Sequence, residues 1–479
     1  MAREPTSARW ILWLCCVAQF MVILDVSVVN VALPSIREAL GFSQIDLQWV
    51  VNAYTLTLAG FLLLGGRAAD LLGDRRVFIF GLAAFTLSSL VGALADHQLV
   101  LIVARGIQGV GGAIVTPATL SIITNAFREG PERNRALAAW SAMGGIGGAV
   151  GVLLGGVLTE VFGWRAILLI NVPVGIWAAV TAYRLVPEGR ERAGEHDYDI
   201  AGAVTVTAGL VALTYAIVRT DVNGWGSSKT LIPMAAGLAL VAVFLAIEGR
   251  FARRPLVPLR IFRSRTLASA NVVILFLGAS AFSMWFFVSL YMQQVLHYSP
   301  IEAGLAFAPM SAMVVLGSAI AGRTAARIGA GRVLSAGMAC VGLGMLLFSG
   351  VDLHGSYVVH VMLPGLVTAC GIGMVFVSGT VAAVTGVDRS ETGLASGLVN
   401  TSRTFGASLG IAVLATLASA RSSSAAAHGA AALVLGYQRA FLVGALFAFA
   451  GALVAVAFLS GRVRRPVAAA PAAEARSPQ

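Results

Sequence analysis

An aspartate stands inside the first long apolar stretch of the sequence, away from both of its ends. Asp25 lies between Trp10 and Leu33, where almost all neighbouring residues are apolar. A charge at that depth in a bilayer costs several kcal/mol, and loss of water disfavours the charged form of a carboxylate. Asp25 is therefore predicted to bind and release a proton. The structural alternative is that it only neutralises a buried arginine.

Two arginines also lie inside apolar stretches. Counting about 1.5 Å per residue from the helix ends places Arg105 at a depth similar to that of Asp25. We therefore expect Arg105 to be coupled electrostatically to Asp25 and to control proton release, with Gln108 one turn further along the same side. Arg403 falls near the middle of a later stretch, where backbone carbonyls, Asp25 or an anionic substrate are its candidate partners.

A run of glycines occupies the fifth apolar stretch. Gly147, Gly151 and Gly155 recur at intervals of four and so lie on one face of a helix. Small residues on such a face let two helix backbones touch within a membrane. Tight packing is the simplest explanation, and sliding along this contact during a transport cycle is the functional one.

Aromatic and amide side chains cluster in residues 285–294. They would either line a substrate path or form an aromatic belt at the membrane surface. The candidate residues for a substrate cavity are Asn30, Gln108, Gln293, Gln294 and Arg403.

The elements that position these residues are transmembrane helices. Of 479 residues, 58% are hydrophobic and 11% are charged, against about 25% charged in a typical soluble domain. Fourteen apolar stretches are each long enough to cross a hydrocarbon core of roughly 30 Å. Their approximate limits are 10–33, 48–66, 77–95, 99–121, 136–158, 165–185, 201–219, 231–248, 267–290, 302–324, 333–350, 359–381, 392–417 and 440–460. The sequence therefore predicts an all-α polytopic protein of the lipid bilayer.

Arginine is concentrated in alternate loops, on the side that carries the N-terminus. Because cytoplasmic loops are enriched in Lys and Arg, both termini are predicted to be cytoplasmic in the cell membrane. The first apolar stretch runs on to Pro34 without a clear cleavage site, so it is interpreted as a retained span. The net charge of +11 is scattered over loops, and no basic face with interleaved aromatics predicts nucleic-acid binding.

An internal repeat indicates how the spans are grouped. Residues 66–73 and 322–329 share Gly, Arg, Ala and Gly at matching places after the second and the tenth span. Equating these two spans divides the chain into two parallel six-helix halves, a plan used by transporters with substrate held between the halves. The predicted regions are an N-terminal half at 1–187, inserted helices seven and eight with their loops at 188–264, a C-terminal half at 265–460 and a disordered tail at 461–479.

Other classes of function find little support. No Walker A pattern is present, and the sequence from Gly406 to Gly410 matches a hydrolase pattern only within an apolar stretch. His and Cys lack metal spacing, so no cofactor and no metal is expected. A channel would need a polar stripe or charged ring. A proton-coupled importer and a membrane sensor remain alternatives to an exporter, and a monomer is the expected state.

Several motifs together resemble the fourteen-span drug:proton antiporters of the major facilitator superfamily, the EmrB/QacA type. These motifs are residues 24–34 in the first span, 66–76 in the following loop, 102–109 in the fourth span, and 163–165 with 169–173. The resemblance implies multidrug efflux that is driven by protons and gives antibiotic resistance. Small molecules would be the substrates, and Asp25 and Arg105 would form the proton-coupling site. It also implies an inner gating latch made by Asp70 and Arg75, in the same loop motif as Gly66 and Gly73.

By the same resemblance, Gly147, Gly151, Gly155 and Gly156 belong to the antiporter motif. Val152 stands where that motif has a proline, and Leu71 stands where the loop motif has an arginine. The first departure removes an expected helix kink, and the second weakens one contact of the latch. Because one deep carboxylate accompanies two buried arginines, neutral or anionic lipophilic compounds are the predicted substrates.

Overall fold

The computed structural model describes residues 5–127, 131–187, 199–251, 255, 257, 259–384, 392–424 and 428–459. Within these residues the secondary structure is entirely helical. The helices are α1 Pro5–Leu40, α2 Trp49–Leu72, α3 Asp74–Ala93, α4 Gln98–Ala126, α5 Pro131–Phe162, α6 Ala166–Leu169, α7 Asn171–Leu185, α8 Ile200–Asn223, α9 Ser228–Ala246, α10 Arg265–Gln294, α11 Pro300–Ala306, α12 Ala308–Ile328, α13 Ala330–Phe348, α14 Leu363–Val384, α15 Thr392–Ser424 and α16 Ala430–Leu459. The predicted tail at 461–479 and most of the predicted loop after residue 187 lie outside the described residues.

Most of these helices are long and apolar enough to cross a membrane. Twelve segments of the described chain meet that criterion, with α6–α7 and α11–α12 each forming one segment. The helices α2 and α5 are not among these twelve segments, and both contain residues whose side chains are not described. The apolar side chains of α9 are mostly exposed, including Ile232 and Leu238, as expected for a helix that faces lipid.

The same pattern of helix–helix contacts occurs in two parts of the chain. The contacts of α1 with α5, α2 with α4, α3 with α4 and α3 with α7 match those of α10 with α15, α12 with α14, α13 with α14 and α13 with α16. The helices α8 and α9 pack on each other, and α8 also contacts α2 and α15.

The two repeated loop segments have the same backbone turn. Gly73 ends α2 at φ 92° and ψ 133°, and Gly329 ends α12 at φ 93° and ψ 143°. Backbone with φ near +90° favours glycine because it has no Cβ. The similarity between residues 66–73 and 322–329 therefore extends to the local structure.

The helix ends define two sides of the bundle. We call the side on which α1 ends the Gly41 side and the opposite one, which carries the turn between α2 and α3, the Gly73 side. On the Gly41 side, Ser289 Oγ of α10 donates to the carbonyl oxygen of Asn30 at 2.8 Å, and Gln293 Nε2 donates to that of Val31 at 2.9 Å. The backbone amide of Ile301 donates to Glu160 Oε2 at 2.9 Å. These bonds hold α1 and α5 against α10 and α11.

The aromatic residues late in α10 pack inside the protein. Phe286 and Phe287 are buried and contact each other with ring centroids 5.1 Å apart. Phe287 also contacts Tyr437 and Phe441 of α16. Phe286 and Phe287 therefore belong to the packed core. These two rings neither face lipid as part of an aromatic belt nor line an open substrate path.

Candidate functional site

Asp25 sits in α1 with no exposed surface and accepts hydrogen bonds from three side chains. Arg105 Nη1 donates to Oδ2 at 2.5 Å. Gln108 Nε2 and Asn171 Nδ2 each donate to Oδ1 at 2.8 Å. Every neighbour within hydrogen-bond reach is a donor, which favours the ionised carboxylate. Both lone pairs of Oδ1 are occupied by these donors, whereas Oδ2 accepts a single hydrogen bond, from Arg105.

Arg105 is held on several sides by groups from α2 and α4. Its Nε donates to the carbonyl oxygen of Val50 at 3.0 Å, and Nη1 also donates to Gln108 Oε1 at 2.7 Å. The guanidinium carbon lies 4.4 Å from the centroid of the Tyr54 ring. A guanidinium over an aromatic face gains cation–π attraction. The ion pair is thus locked between helices, with side-chain exposures of 2% for Arg105 and 0% for Asp25.

Ser89 of α3 connects the amides that surround Asp25. Its hydroxyl oxygen accepts from Gln108 Nε2 at 3.2 Å and from Asn171 Nδ2 at 3.1 Å, and the hydroxyl donates to the carbonyl oxygen of Leu168 at 2.9 Å. Four helices, α1, α3, α4 and α7, therefore contribute to one polar cluster. The sequence analysis identified Asp25, Arg105 and Gln108 but missed Ser89 and Asn171. The signal for Asn171 was a lone amide within the motif at 169–173.

The glycine face of α5 positions α1. A Cβ on Gly147 would lie 3.2 Å from the carbonyl oxygen of Phe20, one on Gly151 would lie 3.0 Å from that of Leu24, and one on Gly155 would lie 2.7 Å from that of Val28. Ser27 Oγ donates to the carbonyl oxygen of Gly147 at 3.1 Å. These contacts fix the stretch of α1 that carries Asp25.

Two further residues of the motif have other surroundings. Gly156 faces α11, where a Cβ would lie 3.0 Å from Ile301 Cα. Val152 is buried, and α5 continues through it as one helix from Pro131 to Phe162. A valine keeps the backbone N–H that a proline at this position would lack.

The residues of the predicted latch lie on the Gly73 side. The guanidinium carbon of Arg75 is 5.4 Å from the centroid of the Tyr183 ring in α7. A Cβ on Gly66 would lie 3.5 Å from Pro117 Cβ of α4. The side chain of Asp70 lies outside the described residues, so its contact with Arg75 stays a prediction.

The predicted substrate-cavity residues do not come together in one place. Asn30 and Gln293 both lie where α1 contacts α10, but they bond to Ser289 and Val31, respectively. Gln108 belongs to the Asp25 cluster. Gln294 Oε1 accepts from the Tyr437 hydroxyl at 2.8 Å. Arg403 lies apart from all of these, between α14 and α15.

Among the described residues, no three or more His, Cys, Asp or Glu side chains are grouped so that they could hold a metal ion.

Apolar helices in two similarly paired sets, with a buried ion pair inside one set, define a polytopic membrane protein with the architecture of a secondary transporter. Comparison with known proteins identifies the family. Residues 15–411 match the model of the Major Facilitator Superfamily. The chain belongs to this superfamily and is a membrane transporter, not an enzyme.

Relatives of similar length are found among actinobacterial proteins. The chain is 42% identical over 453 residues to the cephamycin export protein CmcT of Amycolatopsis lactamdurans, covering 94% of this chain and 92% of that protein. It is 35% identical over 465 residues to the puromycin resistance protein pur8 of Streptomyces alboniger, covering 95% and 91%.

Solved structures agree on the fold. A bacterial homologue of the human lysosomal transporter Spinster aligns with a TM-score of 0.70 at 15% identity, over 96% of this chain and 99% of that one. The POT family transporter PepTSo aligns with a TM-score of 0.69 at 16% identity, over 95% of this chain and 98% of that one. At such identities the likeness concerns the fold alone.

Proposed function

We propose that this protein exports small lipophilic organic compounds across the cytoplasmic membrane and takes up protons in exchange. The observation that carries the proposal is the buried pair of Asp25 and Arg105, since intramembrane ionisable groups mark ion and proton pathways. The relatives support the direction of transport, because their names refer to export of, or resistance to, antibiotics.

Proton coupling follows from two arrangements of the Asp25 cluster. In the present arrangement Arg105, Gln108 and Asn171 stabilise the carboxylate. A proton on Asp25 removes its charge and weakens the attraction to Arg105, so the protonated form favours a conformation in which α1 and α4 separate at this level. The difference in affinity for the proton between the two conformations is what allows a proton gradient to drive the change.

Alternating access involves the contacts between the two sets of helices. Asn30 and Val31, which accept hydrogen bonds from α10, lie five and six residues after Asp25 in the same helix. At 1.5 Å per residue they are only about 8–9 Å from it along the axis. A shift of α1 on protonation therefore reaches the Gly41-side contacts directly. We propose that this side faces the exterior, that Asp25 takes up its proton while this side is open, and that proton release to the cytoplasm restores the present arrangement, in which the Gly41-side contacts are closed.

The membrane topology forms part of the proposal. With α2 and α5 added to the twelve segments, the chain crosses the bilayer fourteen times and both termini are cytoplasmic. Residues 1–187 and 265–460 then form two six-helix halves around a substrate cavity, and residues 188–264 contribute α8 and α9. The latch of Asp70 and Arg75 would act on the cytoplasmic Gly73 side.

Transport into inside-out membrane vesicles tests the proposal. Vesicles from cells that produce the protein are expected to accumulate puromycin or a cephamycin when the lumen is acidified, and to stop when nigericin collapses the pH gradient. Asp25→Asn has a nearly unchanged shape but no titratable proton, so it should abolish gradient-driven accumulation. Asp46→Asn is the matched control, because Asp46 is only partly buried and lies outside the Asp25 cluster.

Counterflow separates coupling from binding in the same vesicles. Asp25→Asn is expected to keep exchange of labelled for unlabelled substrate, which needs no net proton movement. Accumulation by Asp25→Asn at the rate of the unmodified protein, with the gradient still required, would show that another group carries the proton.

A further inference from the structure

Arg403 is a second arginine inside the membrane-spanning part of the protein, with a very different environment from Arg105. It lies in α15, where Nη2 donates to Asn400 Oδ1 at 2.8 Å. Its guanidinium carbon is 5.1 Å from the centroid of the Phe376 ring in α14. Its Nε is buried and has no hydrogen-bond partner.

No carboxylate among the described residues forms an ion pair with Arg403. Arg105, in contrast, has the carboxylate of Asp25, the carbonyl oxygen of Val50 and the ring of Tyr54. An arginine at this depth without a counter-ion is costly, and folding alone gives no reason to retain it. Its two contacts, an amide oxygen and an aromatic face, hold the guanidinium in place without neutralising it.

The surroundings of Arg403 are fixed by close helix packing. A Cβ on Gly278 of α10 would lie 2.9 Å from the backbone nitrogen of Ala407, so α10 and α15 touch here. Ser402 Oγ donates to Asn271 Oδ1 of α10 at 2.8 Å. The backbone beside Arg403 is therefore rigid, while its partly exposed side chain reaches α14. A preorganised guanidinium loses little freedom when an anion binds.

We infer that Arg403, with Asn400 and Phe376, binds the anionic group of the transported compound, and that carboxylates attached to an apolar or ring-containing body are a substrate class. The unpartnered Nε and the adjacent Nη2 form the edge of a guanidinium that pairs with a carboxylate through two parallel hydrogen bonds. The Phe376 face would pack against the apolar body next to the carboxylate.

This inference rests on the proposed function but concerns a different part of the protein. Asp25 belongs to α1 and its partners to α3, α4 and α7, whereas Arg403 and Phe376 belong to α15 and α14. Proton binding and anion binding are thereby assigned to separate sets of helices, so each can be removed while the other is measured.

Equilibrium binding to the purified protein tests the inference without any gradient. The probes are a cephamycin with a free carboxylate and the methyl ester of the same compound, which differ in charge but hardly in shape. The unmodified protein should bind the carboxylate more tightly than the ester. Arg403→Gln should weaken carboxylate binding by about tenfold or more and leave ester binding unchanged, as expected for loss of hydrogen bonds to a charged group.

Two further variants complete the experiment. Arg403→Lys keeps the charge but cannot form the bidentate pair of hydrogen bonds, so it should retain an intermediate preference for the carboxylate. Arg421→Gln removes an exposed arginine near the end of the same helix and should bind both probes like the unmodified protein. If the unmodified protein shows no preference for the carboxylate, or Arg403→Gln weakens both probes equally or neither, the inference is overturned.

Gradient-driven uptake of the ester into vesicles separates the two proposals. Arg403→Gln should still accumulate the ester, whereas Asp25→Asn should not. If the protein binds the carboxylate more tightly through Arg403 but its transport does not depend on the pH gradient, the anion site is supported and proton antiport is disproved.

Discussion

Arg105 and Asp25 are 80 residues apart in the sequence, yet Arg105 Nη1 and Asp25 Oδ2 are 2.5 Å apart in the structure. Both side chains are almost completely buried. In such surroundings the two charges depend on each other, because removing either one leaves the other without compensation at a cost of about 3–5 kcal/mol. The pair therefore links the charge of one side chain to the packing of two helices.

Replacement of Arg105 by alanine is expected to shift the pH dependence of transport upward. An opposite charge favours the ionised carboxylate, so loss of the guanidinium removes part of what stabilises the charged form of this side chain. Proton release on the cytoplasmic side then limits the cycle at neutral pH, and the rate recovers only under more alkaline conditions. Infrared absorption of the protonated carboxyl group, with Asp25→Asn as the blank, measures the change directly.

The controls for Arg105 separate its charge from its shape. Arg105→Lys keeps the charge and should lie between the alanine variant and the unmodified protein. Arg219→Ala removes a half-exposed arginine whose contact with Asp46 is 3.9 Å long, and should leave the profile unchanged. An unshifted pH profile for Arg105→Ala would disprove the coupling of Arg105 to Asp25.

Part of the site was accessible from the sequence because helices in a membrane must run from side to side. Counting residues from the ends of two predicted spans gave Asp25 and Arg105 similar depths, and the structure brings the two side chains into contact. The rotation of each helix about its axis is not fixed by such a count. Ser89 and Asn171 face Asp25 only because of the rotations of α3 and α7, and these depend on packing between helices.

Asn171 is expected to act as a positioning residue for Asp25. Asn171→Ala removes one of the two donors to Oδ1, and a hydrogen bond to a charged group contributes about 1.5–3 kcal/mol. Loss of this donor should therefore move the pH dependence of transport in the same direction as Arg105→Ala does, and by a smaller amount. A merely structural role would lower the amount of folded protein without moving the profile.

A second asparagine supplies the control for this prediction. Asn125 Nδ2 donates to Asp74 Oδ2 at 2.7 Å in an exposed pair on the Gly73 side. Asn125→Ala removes an amide of the same chemistry and should leave the profile in place. Equal profiles for Asn171→Ala and Asn125→Ala would show that Asn171 does not act on Asp25.

The fold was predictable where hydrophobicity and glycine decide it. Apolar stretches gave the helices, and the matching segments after the second and tenth spans marked turns that share a positive φ at Gly73 and Gly329. Less visible were the breaks at Ile170 and Phe307, which divide predicted spans into α6–α7 and α11–α12. Breaks of this kind depend on how the chain packs against neighbouring helices.

Two glycines of α5 that are three residues apart provide a matched test of the contact with α1. Gly151→Ala places a Cβ against the side chain of Ser27 and 3.0 Å from the carbonyl oxygen of Leu24, which should cost about 1–3 kcal/mol. Gly148→Ala meets nothing within 4 Å and should gain about 0.5–1 kcal/mol from the better helix propensity of alanine. Thermal unfolding of the purified variants and their transport rates measure both effects.

The two glycine variants also distinguish packing from movement. If α1 and α5 slide during the cycle, Gly151→Ala should lower the transport rate by more than its loss of stability explains. Equal unfolding temperatures and equal rates for Gly148→Ala and Gly151→Ala would contradict the close contact of α1 with α5 itself.

Labelling of single cysteines should show that α8 and α9 cross the membrane and that the Gly41 side is external. The native cysteines Cys15, Cys16, Cys340 and Cys370 lie in helices and would first be replaced by alanine. Gly226 lies in the exposed connection between α8 and α9, with nothing within 4 Å of a Cβ, so Gly226→Cys should fold normally. A membrane-impermeant maleimide should label it in intact cells, because a chain of fourteen spans with cytoplasmic termini places this connection outside.

The exposed Arg332, near the start of α13 on the opposite side, is the control, and Arg332→Cys should react only after permeabilisation. Labelling of Gly226→Cys only in permeabilised cells would mean either that α8 and α9 do not cross as proposed or that the bundle has the reverse orientation, and labelling of Arg332→Cys in intact cells would identify the second case.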